Sequence, residues 1–188
     1  SGASGLLVSS LGAFARYQEN EAWTWEHQAL VRVRPIYGSA LLQQRFAQIR
    51  QQILSQPRDL PQLQQDVVQM RDKLRQHHAA QSDDPKHSVG GIVDLEFISQ
   101  YLVLAYSQQY PGLYQYSDNI RILDAAEAGG LLTAEQVAQL QQAYQLLRGA
   151  GHRQTLAPAT VPAEDSLAQA KQQVAEVWQQ LFPQQCAG

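Results

Sequence analysis

The segment GGIVDLEFISQYLVL, residues 90–104, decides the fold of this chain. Its apolar side chains recur at helical spacing, and further apolar residues fill the neighbouring stripe. The residues of the first stripe are Ile92, Leu95, Ile98 and Leu102. A helix that is apolar on nearly every side is predicted to lie buried at the centre of a domain. The glycine pair gives this helix a sterically open start.

Two carboxylates, Asp94 and Glu96, interrupt the apolar composition of this segment. A buried charge costs on the order of several kcal/mol unless a cation, hydrogen bonds or a metal offset it. Side chains two positions apart point about 200° away from each other around a helix. The two acids therefore cannot chelate one ion unless the helix begins as late as Leu95.

The rest of the chain is predicted to be helix after helix, separated by short segments rich in Pro, Gly, Ser and Asp. The fold class is therefore all-α, a helical bundle of about seven helices. These helices are expected at residues 21–33, 40–55, 60–78, 92–109, 118–128, 134–156 and 164–181. A shorter helix is expected over Leu11–Asn20, with Ser10 as its N-cap.

Local signals mark several of these boundaries. Ser39, Ser117 and Thr133 stand at N-cap positions, and Gln136 follows Thr133 at the spacing of a capping box. Residues 76–89 and 154–162 are predicted loops. We expect the second loop to tether a last helix that docks back on the bundle, and the first to bring Lys86 near the start of the central helix.

Composition excludes several classes of function. The chain has 188 residues and a net charge of −3, so nonspecific binding to nucleic acid or to an anionic membrane is not expected. No apolar run is long enough for a membrane span. The single cysteine, Cys186, cannot form an internal disulfide, which fits a reducing cytoplasm. Residues 6–15 resemble a signal peptide but lack a basic n-region, so a short helix is preferred there.

Residues 22–34, AWTWEHQALVRVR, together with residues 90–104 closely resemble the glutamine synthetase adenylyltransferase family. The resemblance is greatest to the C-terminal adenylylating half and covers nearly the whole chain. Further blocks follow in the order of the family: PRD at 57–59, DVVQMR at 66–71, Lys86, SDNIRIL at 117–123 and AYQLLR at 143–148. The related adenylyl-removing half has similar helical blocks, and EAWTWEHQAL at 21–30 favours the adenylylating half.

This resemblance implies a C-terminal piece that follows a nucleotidyltransferase domain. Residues 1–20 are then the tail end of that domain and a short connecting helix, residues 21–156 the helical bundle, and residues 157–188 a linker and a C-terminal docking helix. The full-length family enzyme uses ATP and Mg to transfer AMP to a tyrosine of glutamine synthetase, which regulates nitrogen assimilation. The implied partners are glutamine synthetase, a PII-type signal protein and the upstream nucleotidyltransferase domain, all in the cytoplasm.

Nucleotidyl transfer needs an apparatus that this sequence lacks. It requires a Gly-Ser turn at a helix start for the triphosphate, and an Asp-x-Asp pair plus a third carboxylate for two Mg ions. Gly38-Ser39 precedes a predicted helix, but no Asp-x-Asp occurs anywhere. The pair is interpreted as a glycine that ends one helix and a serine that caps the next. We therefore expect no catalytic residue here, no tightly bound cofactor and no activity of the chain alone.

Five residues are candidates for lining the nucleotide site: Arg32, Arg34, Lys86, Asp94 and Glu96. Triphosphate recognition needs fixed positive charge, and the planar fork of Arg matches paired oxygens. Arg32 and Arg34 diverge on a helix, so one of them is expected to face the cleft. Lys86 follows Asp84-Pro85 where the family has Phe-Asp-Leu/Ile-Lys, which leaves its role open.

A structural alternative exists for these acids and cations. Asp94 would then be a first-turn acid that the helix dipole favours, and Glu96 would pair with a basic residue of the bundle. An arginine of the 32–34 pair could likewise neutralise Glu26, Asp94 or Glu96. The sequence does not choose between the two interpretations.

The aromatic and imidazole side chains give weaker signals. Trp23 and Trp25 are interpreted as core or domain-interface anchors and not as platforms for adenine. A zinc site is not predicted, because the remaining histidines lack ligand spacing and a nearby cysteine, and we expect solvated helix-end or loop positions for them. These histidines are His77, His78, His87 and His152.

Three functions remain open at this point: part of a nucleotide site, a non-catalytic docking or regulatory module for glutamine synthetase or a PII signal protein, and a structural scaffold. A ligand response near residues 86–96 would indicate the first. A response at an exposed apolar patch elsewhere would indicate the second. A scaffold predicts no response.

Overall fold

The computed structural model describes residues 9–78, 85–156 and 164–183. Within these ranges it contains nine helices and no strand. They are α1 (Leu11–Asn20), α2 (Thr24–Arg32), α3 (Ala40–Leu54), α4 (Leu60–His77), α5 (Ile92–Tyr106), α6 (Gly112–Gln115), α7 (Asn119–Ala128), α8 (Ala134–Leu156) and α9 (Glu164–Leu181). The all-α prediction is confirmed. The count of about seven is too low, because the ten-residue α1 and the four-residue α6 add to the other seven helices.

Capping explains most helix starts. Ser10 and Ser39 accept hydrogen bonds from the backbone three residues on, as predicted. Thr133 and Gln136 exchange the two hydrogen bonds of a capping box, at 2.9 and 3.2 Å. The predicted N-cap Ser117 is wrong by one residue. The N-cap of α7 is Asp118, whose carboxylate accepts a hydrogen bond from the backbone N–H of Arg121 at 3.0 Å.

Helix α2 begins three residues later than its periodicity predicts. The Trp23 N–H donates to the Glu26 carboxylate at 2.9 Å, which closes the first turn of α2 at Thr24. Glu21 instead ends α1, where its N–H donates to the carbonyl of Tyr17. The side chain of Tyr17 also donates to Glu26, at 2.7 Å, so one carboxylate fixes the corner between the two helices.

Helix α5 lies at the centre of the bundle, as its composition predicts. Eleven of its fifteen residues are buried, and it packs against α2, α4, α7, α8 and α9. Burying one large aliphatic side chain contributes about 1.5–3 kcal/mol. The side chains buried along α5 therefore make this helix a main source of the hydrophobic stability of the bundle. The helix ends at Tyr106 and not at Gln109, because turns at 107–110 lead into Pro111.

The segment before α5 is a tight turn built around the glycine pair. The N–H groups of Ile92 and Val93 donate to the carbonyls of Pro85 and Lys86, at 3.2 and 3.0 Å. Gly90 has a φ of +71°, and a Cβ placed on it would lie 1.9 Å from the carbonyl oxygen of Lys171 in α9. The glycine therefore serves the close approach of two backbones. Of the loop predicted at residues 76–89, residues 79–84 lie outside the described part of the chain.

Helix α9 packs on α8 and α5 and contributes to the same core. Trp178 and Phe182 have ring centroids 4.2 Å apart, and Phe182 lies 4.8 Å from Tyr101 of α5. The loop expected from Gln154 begins later, because α8 continues to Leu156. The expected linker residues 157–163 lie outside the described part. Among the described residues, no helix combines the length and apolar composition that a membrane span requires.

Arg50, near the end of α3, holds two helix ends together. Its guanidinium donates to the carbonyls of Leu30 and Val31 in the last turn of α2, at 3.1 and 2.6 Å. It also donates to the carbonyls of Tyr114 and Tyr116 at the end of α6. A buried cation is well placed there, because helix C-termini carry unpaired carbonyls and negative partial charge.

Replacing Gly90 by Ala is expected to lower the free energy of unfolding by about 3 kcal/mol or more, because strain at positive φ and a backbone clash add. Gly130 is a matched control, since its φ is +68° and no atom lies within 4 Å of its added Cβ. Gly130→Ala should therefore cost only about 1–2 kcal/mol. Urea unfolding of both variants measures the difference. Equal costs would contradict the close packing of α9 on Gly90.

Candidate functional site

Asp94 is the most fully paired acid of the central helix. It is 1% exposed, and its two oxygens accept four hydrogen bonds. Arg71 of α4 binds it with both Nε and Nη2, at 2.8 and 2.5 Å. Arg75, one turn further along α4, donates a hydrogen bond from Nη2 to Asp94 Oδ2 at 2.8 Å. The backbone N–H of Gly90 donates to the same oxygen at 2.7 Å. This network neutralises Asp94 and ties α4, α5 and the 85–91 turn together.

Arg71 extends the network to the last helix. Its guanidinium carbon lies 4.0 Å from the ring centroid of Trp178 in α9, a cation–π contact. Sequence reasoning missed Arg71 and Arg75 as partners of Asp94. Their spacing of four residues, which places both on one face of α4, is the signal that could have identified them.

Glu96 points to a different side of α5, as the helical geometry predicts. It accepts a hydrogen bond from Nη1 of Arg32 at 3.0 Å, and the same nitrogen donates to Asn119 at 3.0 Å. The side chains of Arg32 and Glu96 are 35% and 27% exposed. This group links α2, α5 and α7 at the surface of the bundle. The two bonds use only Nη1, so Nε and Nη2 of Arg32 provide further donors.

The structure separates the other candidate cations. Helix α2 ends at Arg32, so Arg34 lies in the following extended segment. It is exposed and lines a cavity of about 260 Å³ beside Arg50 and Tyr114. Lys86 is exposed in the turn before α5, and its backbone carbonyl accepts the N–H of Val93. Arg32 and Glu96 are thus in direct contact, whereas Asp94 is paired within another group.

Two expectations about neighbouring residues are corrected. Gly38 has a φ of +128° but does not end a helix, since five residues separate it from Arg32, the last residue of α2. Trp23 and Trp25 are exposed and contribute nothing to the core, so only their interface role stays a prediction. They border a cavity of about 330 Å³ together with Met70 and Lys73.

The histidines whose side chains the structure describes form no metal site. Within the described residues, no three His, Cys, Asp or Glu side chains converge in a way that could hold an ion. His78 stacks on His87 with ring centroids 3.9 Å apart. The side chain of His152 lies outside the described part of the structure. The oxygens of Asp94 are occupied by arginines, so this acid does not fit the magnesium of a nucleotidyltransferase.

His27 of α2, which sequence reasoning passed over, is buried between α1 and the segment that joins α3 to α4. Its Nε2 donates to the Gln18 carbonyl at 2.9 Å, and its Nδ1 accepts from Arg58 at 3.1 Å. Burial, aided by the charge of Arg58, lowers the pKa of His27 below 6.5, while the hydrogen bond to Gln18 opposes this shift. His27 is therefore neutral in the folded protein near pH 7.

The first 49 residues match a family model described as glutamate-ammonia ligase adenylyltransferase. Two curated relatives carry the name bifunctional glutamine synthetase adenylyltransferase/adenylyl-removing enzyme. One, from Pseudomonas aeruginosa, is 45% identical over 96% of this chain and 20% of its own length. The other, from Mannheimia haemolytica, is 46% identical over 97% of this chain and 19% of its own length. The chain belongs to the glutamine synthetase adenylyltransferase family.

Residues 48–182 match a second family model, described as GlnD PII-uridylyltransferase. The two models meet within α3. The central helix α5 lies in the region that matches this second model, residues 48–182. The residues that pair with Asp94 and Glu96 also lie there, except for Arg32, which lies in the region of the first model. The chain spans about a fifth of the length of the curated relatives it matches.

Replacing Asp94 by Asn should destabilise the bundle by about 3–5 kcal/mol, because the change leaves two largely buried arginines without their charge partner. Glu96→Gln serves as the matched control on the same helix. That pair is about one-third exposed, so the control should cost only about 0–1 kcal/mol. Chemical unfolding followed by circular dichroism compares the two. A similar small loss in both variants would contradict the structural role of Asp94.

The lowered pKa of His27 predicts a pH dependence of stability. The unfolded state binds a proton near pH 6.5 more readily than the folded state, so stability falls as pH decreases from 6.5 toward the lowered pKa. The loss is at most about 1.4 kcal/mol per pH unit. Unfolding free energies of wild type and His27→Gln between pH 5 and 8 test this. The variant should lack this component, and parallel curves would refute it.

Proposed function

We propose that this bundle forms a helical wall of an adenylyl-transfer site, in an enzyme that moves AMP from ATP to a tyrosine of glutamine synthetase. The names of the curated relatives support the reaction class. The observation that carries the proposal is Arg32, which Glu96 and Asn119 hold at the surface with further donors available. A guanidinium fixed in this way is pre-organised for phosphate oxygens.

The roles of the other candidates follow from their positions. Arg34 and Lys86, both exposed, add positive charge around the triphosphate. Glu96 orients Arg32. Asp94 acts indirectly in this proposal, because it holds the N–H of Gly90 and so fixes the turn that carries Lys86.

In the reaction, a tyrosine oxygen of the protein substrate attacks the α-phosphorus of ATP, and the bond to pyrophosphate breaks. Charge develops on the phosphoryl oxygens and on the leaving group, which fixed cations stabilise. The metal-binding carboxylates belong, in this proposal, to parts of the full-length protein outside the fifth represented here. The chain alone is then inactive, and its residues bind and orient the ATP.

The alternative is a non-catalytic docking or regulatory module for glutamine synthetase or a PII signal protein. The exposed Trp23 and Trp25 beside a cavity favour it, since exposed aromatic side chains are common at interfaces. In both interpretations the protein takes part in the regulation of glutamine synthetase. We propose that it does so in the cytoplasm.

Calorimetric titration of Mg-ATP into the 188-residue chain distinguishes the two. We expect saturable binding that weakens roughly tenfold or more, about 1.4 kcal/mol, in an Arg32→Ala, Lys86→Ala variant. Arg121→Ala, Arg148→Ala removes the same charge elsewhere and should bind like wild type. Circular dichroism checks that each variant is folded. Absence of binding, or equal weakening in both double variants, would reject the nucleotide role and favour docking.

A further inference from the structure

Asn119 is a buried amide at the start of α7. It is 1% exposed, and its Oδ1 accepts a hydrogen bond from Nη1 of Arg32 at 3.0 Å. Its Nδ2 is also buried but has no hydrogen-bond partner among the described residues. Burying an amide nitrogen without a partner costs free energy that an apolar side chain of the same size would not cost. Packing alone therefore does not explain an amide at this position.

The bond from Arg32 to Asn119 fixes the plane of the guanidinium. Nη1 of an arginine carries two N–H groups, which lie in the guanidinium plane and point in different directions. Glu96 of α5 and Asn119 of α7 both accept from Nη1, each at 3.0 Å. One acceptor would let the guanidinium turn about a single bond, whereas two acceptors on different helices set its orientation. The remaining donors, Nε and Nη2, then keep a fixed direction.

The core holds Asn119 in place. Ile122 and Leu123, in the first turns of α7, are both 0% exposed. The carboxylate of Asp118 caps the same helix by accepting the backbone N–H of Arg121 at 3.0 Å. The acceptor at position 119 is therefore carried by a helix start that is anchored both by capping and by packing.

The two acceptors of Arg32 differ in charge, which matters for binding an anion. Within the described part of the chain, Glu96 is the one acid that forms an ion pair with Arg32. The amide of Asn119 is uncharged, so the net charge of these three side chains is zero. A second carboxylate at position 119 would still accept the hydrogen bond, but it would make the group negative and repel a phosphate.

We propose that Asn119 is a positioning residue for adenylyl transfer, and that its lack of charge is what suits Arg32 to bind a phosphate group of ATP. The amide supplies the second acceptor that orients the guanidinium and adds no second negative charge. This inference rests on the proposed function, because it takes Arg32 to face the nucleotide. Asn119 is itself buried, so it acts on the nucleotide through Arg32.

Calorimetric titration of Mg-ATP into the 188-residue chain and its variants tests the role of the charge. Asn119→Asp keeps the shape and the acceptor and adds one negative charge, so binding should weaken roughly tenfold. Asn20→Asp, the same change at the exposed end of α1, should bind like wild type. Binding of Asn119→Asp within about twofold of wild type would overturn the inference and leave the proposed role of Arg32 standing.

A charge swap separates this role from general damage to the fold. Glu96→Gln, Asn119→Asp moves the carboxylate from α5 to α7, so both acceptors remain and the net charge returns to zero. This double variant should recover Mg-ATP binding to within about threefold of wild type. Failure to recover binding, in a double variant that circular dichroism shows to be folded, would overturn the inference.

Mg-tripolyphosphate, titrated in the same way, shows which part of the nucleotide is affected. It should lose affinity in Asn119→Asp and regain it in the double variant, because the fixed donors of Arg32 bind phosphate oxygens. A loss seen with Mg-ATP but not with Mg-tripolyphosphate would overturn the inference.

The orientation of Arg32 is measured without nucleotide. Nitrogen NMR of the arginine side chains reports how fast each guanidinium rotates. The rotation of Arg32 should be about fivefold faster or more in Asn119→Leu, which removes the acceptor, and unchanged in Asn119→Asp, which keeps it. Equal rotation in Asn119→Leu and wild type would overturn the inference. Faster rotation in Asn119→Leu, combined with no Mg-ATP binding by wild type, would reject the nucleotide role while confirming that Asn119 orients Arg32.

Discussion

The ion-pair network of Asp94 is the interaction on which the rest of the structure depends. A carboxylate within the most buried helix is stable only because Arg71 and Arg75 of α4 neutralise it. The same carboxylate accepts the N–H of Gly90, which allows α9 to approach the turn backbone. Arg71 also contacts Trp178 of α9. One charge thus fixes the relative positions of three helices and one turn.

A second buried charge organises the opposite part of the bundle by a different means. Arg50 contacts four carbonyls at the ends of α2 and α6. It therefore offsets its desolvation with the partial charges of helix ends. Because Arg50 fixes the end of α2, it also fixes Arg32, which pairs with Glu96 and Asn119. The surface group proposed to face the nucleotide is supported from beneath by this contact.

The division of the chain follows the same logic. From Arg50 onward, buried apolar side chains form most of the bundle core, and Leu30 and Val31 of α2 complete it. Before Arg50, α1 and the first turns of α3 bury almost nothing, and apolar side chains face outward. Most of the core thus lies after the first turns of α3, whereas most of the exposed large apolar side chains of the described residues lie before residue 50.

The sequence by itself determined the helical class, most helix boundaries and the central position of α5, because helical periodicity and capping are local properties. It also determined that Asp94 and Glu96 diverge, since helix geometry requires it. Only the tertiary structure decided which cations meet which acids: Asp94 pairs with Arg71 across 23 residues, and Glu96 with Arg32 across 64. Such pairing depends on how helices pack, and no local pattern in the chain encodes that distance.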